Sequence, residues 1–177
     1  MKKYLISVFV LMFINSACTQ LEVAVCEDCQ FSCNNENETD VITNSCKENY
    51  DCTFKIYPNS KVVIDEEEGF QSGNKTVFQL ITSTEGSPLI ADDEFVNILV
   101  MELDSDQTSF SVSDEELSNM NVHFKTVCFC ADVKFNAPDK GCIQGLKQAD
   151  GSWLIQGNLL FSNSSLTPFK FNARFSK

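Results

Sequence analysis

The clearest alternation of apolar and polar positions lies in residues 141–161, on both sides of Asp150-Gly151. Alternation with a period of two is typical of β-strands that bury one face. An Asp-Gly pair readily adopts the positive φ angles of a two-residue type I′ turn. The segment therefore predicts a β-hairpin whose second strand buries Trp153, the only tryptophan of the chain.

The length of this turn decides which hairpin residues share a face. With a two-residue loop, Leu146 pairs with Ile155 and Cys142 pairs with Leu159. Cys142 and Leu146 then lie on the same face as Trp153, which we expect to be the core face.

A second clean alternation, in residues 169–175, predicts a half-buried strand. Its apolar positions and those of the second hairpin strand supply the predicted core. The predicted core residues are Trp153, Ile155, Leu159, Phe161, Phe169, Phe171 and Phe175.

Residues 122–135 form a third alternating run and predict another strand. Its apolar core face consists of Val127, Phe129, Ala131, Val133 and Phe135. Cys128 and Cys130 share the opposite face. A turn at 136–140 would lead into the hairpin and set the last residue of the run opposite Cys142.

Shorter patterns occupy the middle of the chain. They predict a hairpin of 52–57 and 61–65 around a turn at 58–60, an acidic turn at 66–69, and strands at 76–82 and 110–112. Residues 95–103 are apolar on both faces, which predicts a central strand, with a helix as the alternative. Residues 114–119 predict one helical turn capped by Ser113.

Together these segments predict an all-β fold. About nine strands, turn signals between them and no βαβ alternation favour an antiparallel β-sandwich or barrel with a disulfide-rich N-terminal segment. A chain of 177 residues is long enough for one well-packed domain. The formal net charge of −12 and the scattered basic residues argue against nucleic acid as a partner.

The N-terminus has the pattern of a signal peptide. Two lysines at positions 2 and 3 precede an apolar run at 4–14, which is too short to span a bilayer. The small residues Ser16-Ala17-Cys18 that follow resemble the lipobox of bacterial lipoproteins, although Asn15 stands where an apolar residue is usual.

This resemblance implies that Cys18 is diacylated and becomes the mature N-terminus. The protein would then be anchored outside the cytoplasm, in a bacterial cell envelope and at the outer membrane. Ordinary signal cleavage near the same site, giving a soluble secreted protein, is the alternative. The predicted divisions are a signal peptide at 1–17, a lipid-anchored, cysteine-rich segment at 18–52 and a β-domain at 53–177.

Cysteine parity agrees with export. Apart from Cys18, an even set of eight remains, which predicts four disulfides in an oxidising compartment: Cys26, Cys29, Cys33, Cys46, Cys52, Cys128, Cys130 and Cys142. We expect Cys128 and Cys130 to bond into the N-terminal segment. A local bridge from Cys142 to either of them is the alternative.

The sequence contains no recognisable catalytic or metal-binding constellation, so no catalytic residue, metal or cofactor is predicted. The acidic neighbours of the Cys26-x-x-Cys29 pair would raise a thiol pKa, which disfavours a redox role. His123, the only histidine, belongs to no motif. Asp104, Asp106, Thr108 and Glu115 have calcium-loop spacing, but the required glycine and flanking helices are missing, so we expect a solvated acidic turn.

The sequence therefore predicts an exported, lipid-anchored binding or structural module rather than an enzyme. Its partners would be the membrane, through the lipid, and a protein or glycan ligand. One alternative is a secreted hydrolase that uses carboxylates. Another is a soluble, disulfide-rich secreted protein with glycans on the sequons at Asn37, Asn74 and Asn163.

Overall fold

The computed structural model describes residues 41–46, 50–64, 69–84, 95–128, 134–162 and 168–177. These residues contain nine β-strands and one 3-10 helix. The elements are β1 (Ile42–Thr43), β2 (Tyr50–Val63), β3 (Gly69–Thr84), β4 (Val96–Asp104), β5 (Ser109–Ser113), η1 (Asp114–Met120), β6 (His123–Val127), β7 (Lys140–Lys147), β8 (Trp153–Leu160) and β9 (Phe169–Phe175).

The strands form two sheets. The five-stranded sheet has the order β1-β9-β8-β7-β5, and the four-stranded sheet has the order β2-β3-β4-β6. The short β1 runs parallel to β9, and the other strand pairs are antiparallel. The prediction of an all-β fold of about nine strands is therefore confirmed, and of the two predicted architectures, sandwich or barrel, the two sheets form a sandwich. The segment predicted at 95–103 is a strand, at 96–104, rather than a helix.

The main core lies between the sheets and is rich in aromatic rings. Phe78 of the four-stranded sheet lies edge-on to Trp153 and Phe175 of the five-stranded sheet, at centroid distances of 5.4 and 5.8 Å. Edge-to-face pairs of this kind add to the free energy gained from apolar burial. Of the seven residues named above as core, six are at most 3% exposed. The seventh, Phe169, is partly buried and packs against Phe124.

The β7–β8 hairpin is present, but its predicted turn is wrong. The loop contains three residues, 149–151, because the Gln148 N–H donates to the Ser152 carbonyl at 2.8 Å. The Gly151 N–H closes a turn onto the Gln148 carbonyl, and Gly151 itself has a φ of +83°. This is a type I turn followed by a left-handed glycine, the usual three-residue hairpin loop. Asp150 stabilises it by accepting hydrogen bonds from the Ser152 N–H and hydroxyl.

The extra loop residue shifts the register by one. Cys142 pairs with Asn158 and Leu146 pairs with Leu154, so these side chains lie on the outer face of the sheet, not beside Trp153. A one-residue slip exchanges the two faces of a strand, because successive side chains alternate. Cys142 is nevertheless only 2% exposed.

The predicted turn at 58–60 is also wrong, because β2 continues through it. Pro58 is tolerated there since β2 is an edge strand, whose outer N–H groups need no strand partner. The strand bulges instead of turning: Ser60 pairs with both Ser72 and Lys75. A Cβ on Gly73 would lie 2.9 Å from the Ser60 backbone, so the bulge requires glycine at this position.

Beyond this bulge, the β2–β3 hairpin folds back onto its own sheet. We call residues 61–63 and 69–72 the folded-back tip. Val62 packs with Val77 and Val100 on the outer face of the four-stranded sheet, and its N–H donates to Glu102 Oε1. An extended hairpin would carry Val62 away from Val100, which lies opposite Gln79, so these contacts require the chain to reverse.

The core face predicted for residues 122–135 is wrong as well. Phe124 is buried in the main core, whereas Val127 is 39% exposed on the outer face. Residues 129–133 lie outside the described residues. Phe135 packs in the outer cluster beneath the folded-back tip, and Asn136 exchanges backbone hydrogen bonds with Phe124.

Residues 137–139 therefore connect the two sheets, and Phe135 does not lie opposite Cys142.

The helical turn predicted at 114–119 is present as η1, but the Ser113 side chain makes no capping hydrogen bond. β1 and the start of β2 lie before residue 53, so residues assigned above to the N-terminal segment contribute strands to both sheets.

Candidate functional site

The described cysteines are all disulfide-bonded. Cys46 and Cys52 bond to each other across a Cα–Cα distance of 5.8 Å, and Cys128 and Cys142 are also in disulfides. Cys18, Cys26, Cys29, Cys33 and Cys130 lie outside the described residues. The predicted linkage of Cys128 and Cys130 to the N-terminal segment stays a prediction.

A cleft of about 500 Å³ opens at one end of the sandwich and is our candidate binding site. We call it the end cleft. It lies between η1, the first residue of β6 and residues 137–140. Its floor is apolar and includes Leu117 and Val122, while carboxylates, an amide and an imidazole line the rim. A concave site with an apolar base and a few polar groups is the usual form of a ligand pocket.

Two residues in left-handed backbone conformations bracket η1 in this cleft. Asp114 has a φ of +44° and Asn121 a φ of +47°. The Gly141 N–H donates to Asp114 Oδ1 at 3.0 Å, which ties the start of η1 to β7. At its other end, the Asn121 N–H donates to the Ser118 carbonyl. Non-glycine residues with positive φ cost free energy and concentrate at functional sites.

His123 is half-buried beside this cleft. Its Nε2 lies 2.7 Å from Asn121 Oδ1, and because the amide oxygen only accepts, the ring nitrogen donates. Burial lowers the pKa of His123, and the nearby Glu102 carboxylate opposes this shift without cancelling it. The imidazole is therefore neutral at pH 7 and offers hydrogen bonds rather than charge.

Carboxylates line the rest of the rim, at Asp114, Glu115 and Asp139. The Ser162 N–H donates to Asp139 Oδ2, and hydrogen bonding from Ser162 lowers the pKa of Asp139. Asp139 is thus an ionised acceptor that holds residue 162 in place. A rim of acceptors and donors suits a hydrogen-bonding ligand.

The residues with calcium-loop spacing do not come together as a metal site. Asp104 instead binds Lys75, with Nζ 2.7 Å from Oδ1, and this hydrogen bond raises the pKa of Lys75. Glu115 lies in the end cleft. Among the described residues, no group of three or more His, Cys, Asp or Glu side chains could hold a metal ion.

A second cleft, of about 450 Å³, lies at the other end of β7, beside the β7–β8 loop. Its Asp150 is already engaged by Arg174 Nη1 at 3.0 Å and by Ser152. Trp153 in its wall is only 3% exposed, so its ring offers almost no face to a ligand. The end cleft, with the apolar side chains of Leu117 and Val122 at its base, is therefore the better candidate.

Comparison with known proteins gives no relative: no family model, curated protein or solved structure matches the chain. In the described part of the chain, no helix is both long and apolar enough to cross a membrane. The end cleft was not predicted from the sequence. Its one available signal was the Asn and Asp content of 114–121, since these residues tolerate positive φ.

Proposed function

We propose that the protein is exported, anchored through a lipid on Cys18 outside a bacterial membrane, and acts as a β-sandwich binding module for a protein or glycan. The leader supports export, with its lysines, apolar run and Ser16-Ala17-Cys18 ending. The all-β scaffold and the loops at its end support binding, because recognition residues concentrate on loops held by a rigid framework.

The observation that carries the proposal is the state of the cysteines. Each of the four in the described residues, Cys46, Cys52, Cys128 and Cys142, is disulfide-bonded. Stable disulfides are typical of compartments that oxidise thiols and rare in the cytosol. This favours an extracytoplasmic location independently of the leader.

Fractionation and mass spectrometry test the anchor. We expect the full chain, expressed in a bacterium that processes lipoproteins, to be membrane-bound and to carry a diacyl mass on Cys18. Its mass should also be lower by about eight hydrogens than that of the reduced form if four disulfides form. Cys18→Ala should release it from the membrane fraction, and Ser16→Ala, which keeps the lipobox-like ending, should not.

A soluble, unacylated protein in the wild type would contradict the anchor and leave the secreted alternative. Free thiols at Cys128 and Cys142 in native protein would contradict export altogether. These two outcomes are independent, because one concerns a lipid and the other concerns oxidation.

The binding role is tested at the end cleft. NMR titration of the purified protein with panels of neutral oligosaccharides and short peptides should shift the amides of η1 and of residues 121–123. Asn121→Gly keeps the left-handed backbone but removes the side chain that holds His123, so it should weaken such binding.

The matched control is Glu116→Gln, a substitution at an exposed η1 residue outside the cleft lining, and it should leave the titration unchanged. Equal affinity of Asn121→Gly and the wild type, or the absence of any shift at η1 and residues 121–123, would reject the end cleft as a binding site.

A hydrolase is the second candidate, because three carboxylates line the end cleft. A carboxylate pair acting on a glycosidic bond needs a spacing of about 5 to 9.5 Å and one protonated partner. Turnover of nitrophenyl glycosides, abolished by Glu115→Gln but not by Glu116→Gln, would support this candidate. No turnover by the wild type would reject it for that substrate class.

A further inference from the structure

A straight row of uncharged polar side chains crosses the outer face of the five-stranded sheet. Strand pairing aligns Ser111 with Gln144, Gln144 with Gln156, Gln156 with Asn172, and Asn172 with Thr43. Each of the five strands thus contributes one residue. We call this set the polar row.

The row faces away from the core, because its neighbours along each strand face inward. Successive side chains of a strand point to opposite faces, which places the polar row outside. Ser111 and Thr43, at its two ends, are exposed, and the three amide residues between them are partly exposed. The buried inward neighbours are Phe110, Ile143, Ile155, Phe171 and Ala173.

The centre of the row contains an unsatisfied acceptor. Gln156 Oε1 is buried and has no hydrogen-bond partner among the described residues. A buried polar atom without a partner carries a desolvation cost that no hydrogen bond offsets, so such atoms are rare in native proteins. The Gln156 side chain as a whole is partly exposed, so a rotation of its amide would bring this acceptor to the surface, where a ligand hydroxyl could donate to it.

An apolar strip lies directly beside the row. Leu146 and Leu154 are paired on the same outer face, and Leu154 is 40% exposed. An oligosaccharide has the matching chemistry, because its hydroxyl edges hydrogen-bond to amides while its C–H faces contact apolar side chains. Carboxamides suit hydroxyls well, since each offers both donors and acceptors.

We infer that the outer face of the five-stranded sheet binds a neutral oligosaccharide that lies along the polar row. Five strands span about 19 Å at the usual strand spacing, which accommodates a chain of several sugars rather than one. The row itself has no charged member, which suits a neutral ligand, while Lys170 and Arg174 lie on the same outer face on either side of Asn172.

This site is separate from the end cleft. It rests on the proposed function only in that an extracellular glycan requires an exported protein. The test measures binding by purified protein, so its outcome does not depend on the anchor. A protein that binds the glycan but lacks the lipid would contradict the proposed anchor and leave this inference standing.

The test is calorimetric titration of the purified full chain with cellohexaose, maltohexaose and chitohexaose, and with an anionic galacturonate hexamer for comparison. We expect at least one neutral hexamer to bind and the anionic hexamer to bind more weakly. Gln144→Leu and Gln156→Leu should each weaken that binding about tenfold, which corresponds to the loss of about one hydrogen bond.

The matched control is Gln71→Leu, the same substitution at an exposed position on the folded-back tip of the other sheet, and it should leave binding unchanged. Chemical shift changes should map to β7, β8 and β9. Absence of binding by all three neutral hexamers at millimolar concentration would overturn the inference. Preferential binding of the anionic hexamer, or equal affinity of Gln156→Leu and the wild type, would also overturn it.

Discussion

The two outer faces of the sandwich differ in chemistry. On the four-stranded sheet, Val77 and Val100 are at most 1% exposed because the folded-back tip covers them. On the five-stranded sheet, the equivalent layer carries the polar row, centred on Gln156. One sheet therefore builds a third layer from its own hairpin, while the other presents hydrogen-bonding groups. The outward residues of the two sheets therefore differ in burial and polarity, and the oligosaccharide site that we infer lies on the second face.

The edge of the covered face is also closed by aromatic contacts. The ring of Tyr57 on β2 lies 4.5 Å from the ring of Phe70 on the folded-back tip, and its hydroxyl donates to Gln79. Lys125 Nζ lies 4.6 Å from the centroid of the Phe135 ring, a cation–π arrangement. An apolar space of about 180 Å³ remains under the tip.

The largest expected effect on stability comes from a charge placed beneath the folded-back tip. Val77→Asp would bury a carboxylate with no partner, so we expect it to lower the free energy of unfolding by about 3 to 5 kcal/mol. Asn172→Asp, in the polar row, should cost less than about 1 kcal/mol because water reaches that position. Urea denaturation of both variants measures the difference. Equal losses in the free energy of unfolding would show that the two outer faces do not differ in burial.

The bulge that reverses the hairpin gives the next largest effect. Gly73→Val would force a Cβ into the Ser60 backbone, so we expect a loss of about 1 to 3 kcal/mol. Ser72→Val, one residue earlier and exposed, is the control and should be nearly neutral. Thermal denaturation checks both variants, and the NMR contacts between the Tyr57 and Phe70 rings should be lost in Gly73→Val. An unchanged Gly73→Val protein would mean that the tip does not depend on this bend.

In the polar row, a substitution should separate stability from binding. Gln156→Leu removes the unsatisfied acceptor, so we expect the free energy of unfolding to stay the same or to rise by up to about 1 kcal/mol. If the polar row served only to hold the strands together through side-chain hydrogen bonds, the same substitution would destabilise the sheet. A marked loss of stability in urea denaturation would contradict our interpretation.

The smallest expected effect is a pH dependence of the free energy of unfolding. It comes from His123, which pairs with Val100 on the outer face of the four-stranded sheet. Burial lowers its pKa in the folded state below the usual value of 6.5. Above about pH 6.5 the ring is neutral in both states; below it, the unfolded chain takes up the proton first, so stability falls with falling pH until the folded pKa is passed. We expect His123→Gln to show a smaller loss of urea midpoint between about pH 7.5 and 5.

Asp139 and Asp150 have pKa values lowered from 3.8. Their contribution to the free energy of unfolding is therefore lost only at more acidic pH, outside the range from about pH 7.5 to 5 in which His123 acts. The Glu102 carboxylate, the charge that acts on the His123 ring, partly offsets the burial effect. Identical pH profiles for the wild type and His123→Gln would show that His123 is not buried enough to matter.

The sequence predicted the strands better than it predicted their faces. In residues 169–175, one side is apolar and the other polar, so the alternation identified the buried positions directly. In residues 122–135 it failed, because the outer face is itself apolar: Phe135 belongs to the outer cluster and Phe124 to the main core. Periodicity alone cannot choose between two apolar faces.

Turn chemistry explains the other errors. Asp150-Gly151 suits both a two-residue turn and the end of a three-residue loop, and hydrogen bonds to Ser152 select the second. Pro58 suggested a turn, but an edge strand tolerates it. The polar row could not be found without the register, since it joins residues from Thr43 to Asn172 that only strand pairing brings together.

The place of β9 in its sheet has a consequence for how the molecule is made. It is the last described strand to leave the ribosome, yet it lies between β1 and β8 and carries Phe171 and Phe175 into the core. Until it emerges, β1 lacks the one described strand that pairs with it, and Phe78 lacks one of its aromatic partners among the described residues. Such long-range closure delays folding. A nascent chain held open in this way suits the proposed export, because it can thread through a secretion channel before its sheets close.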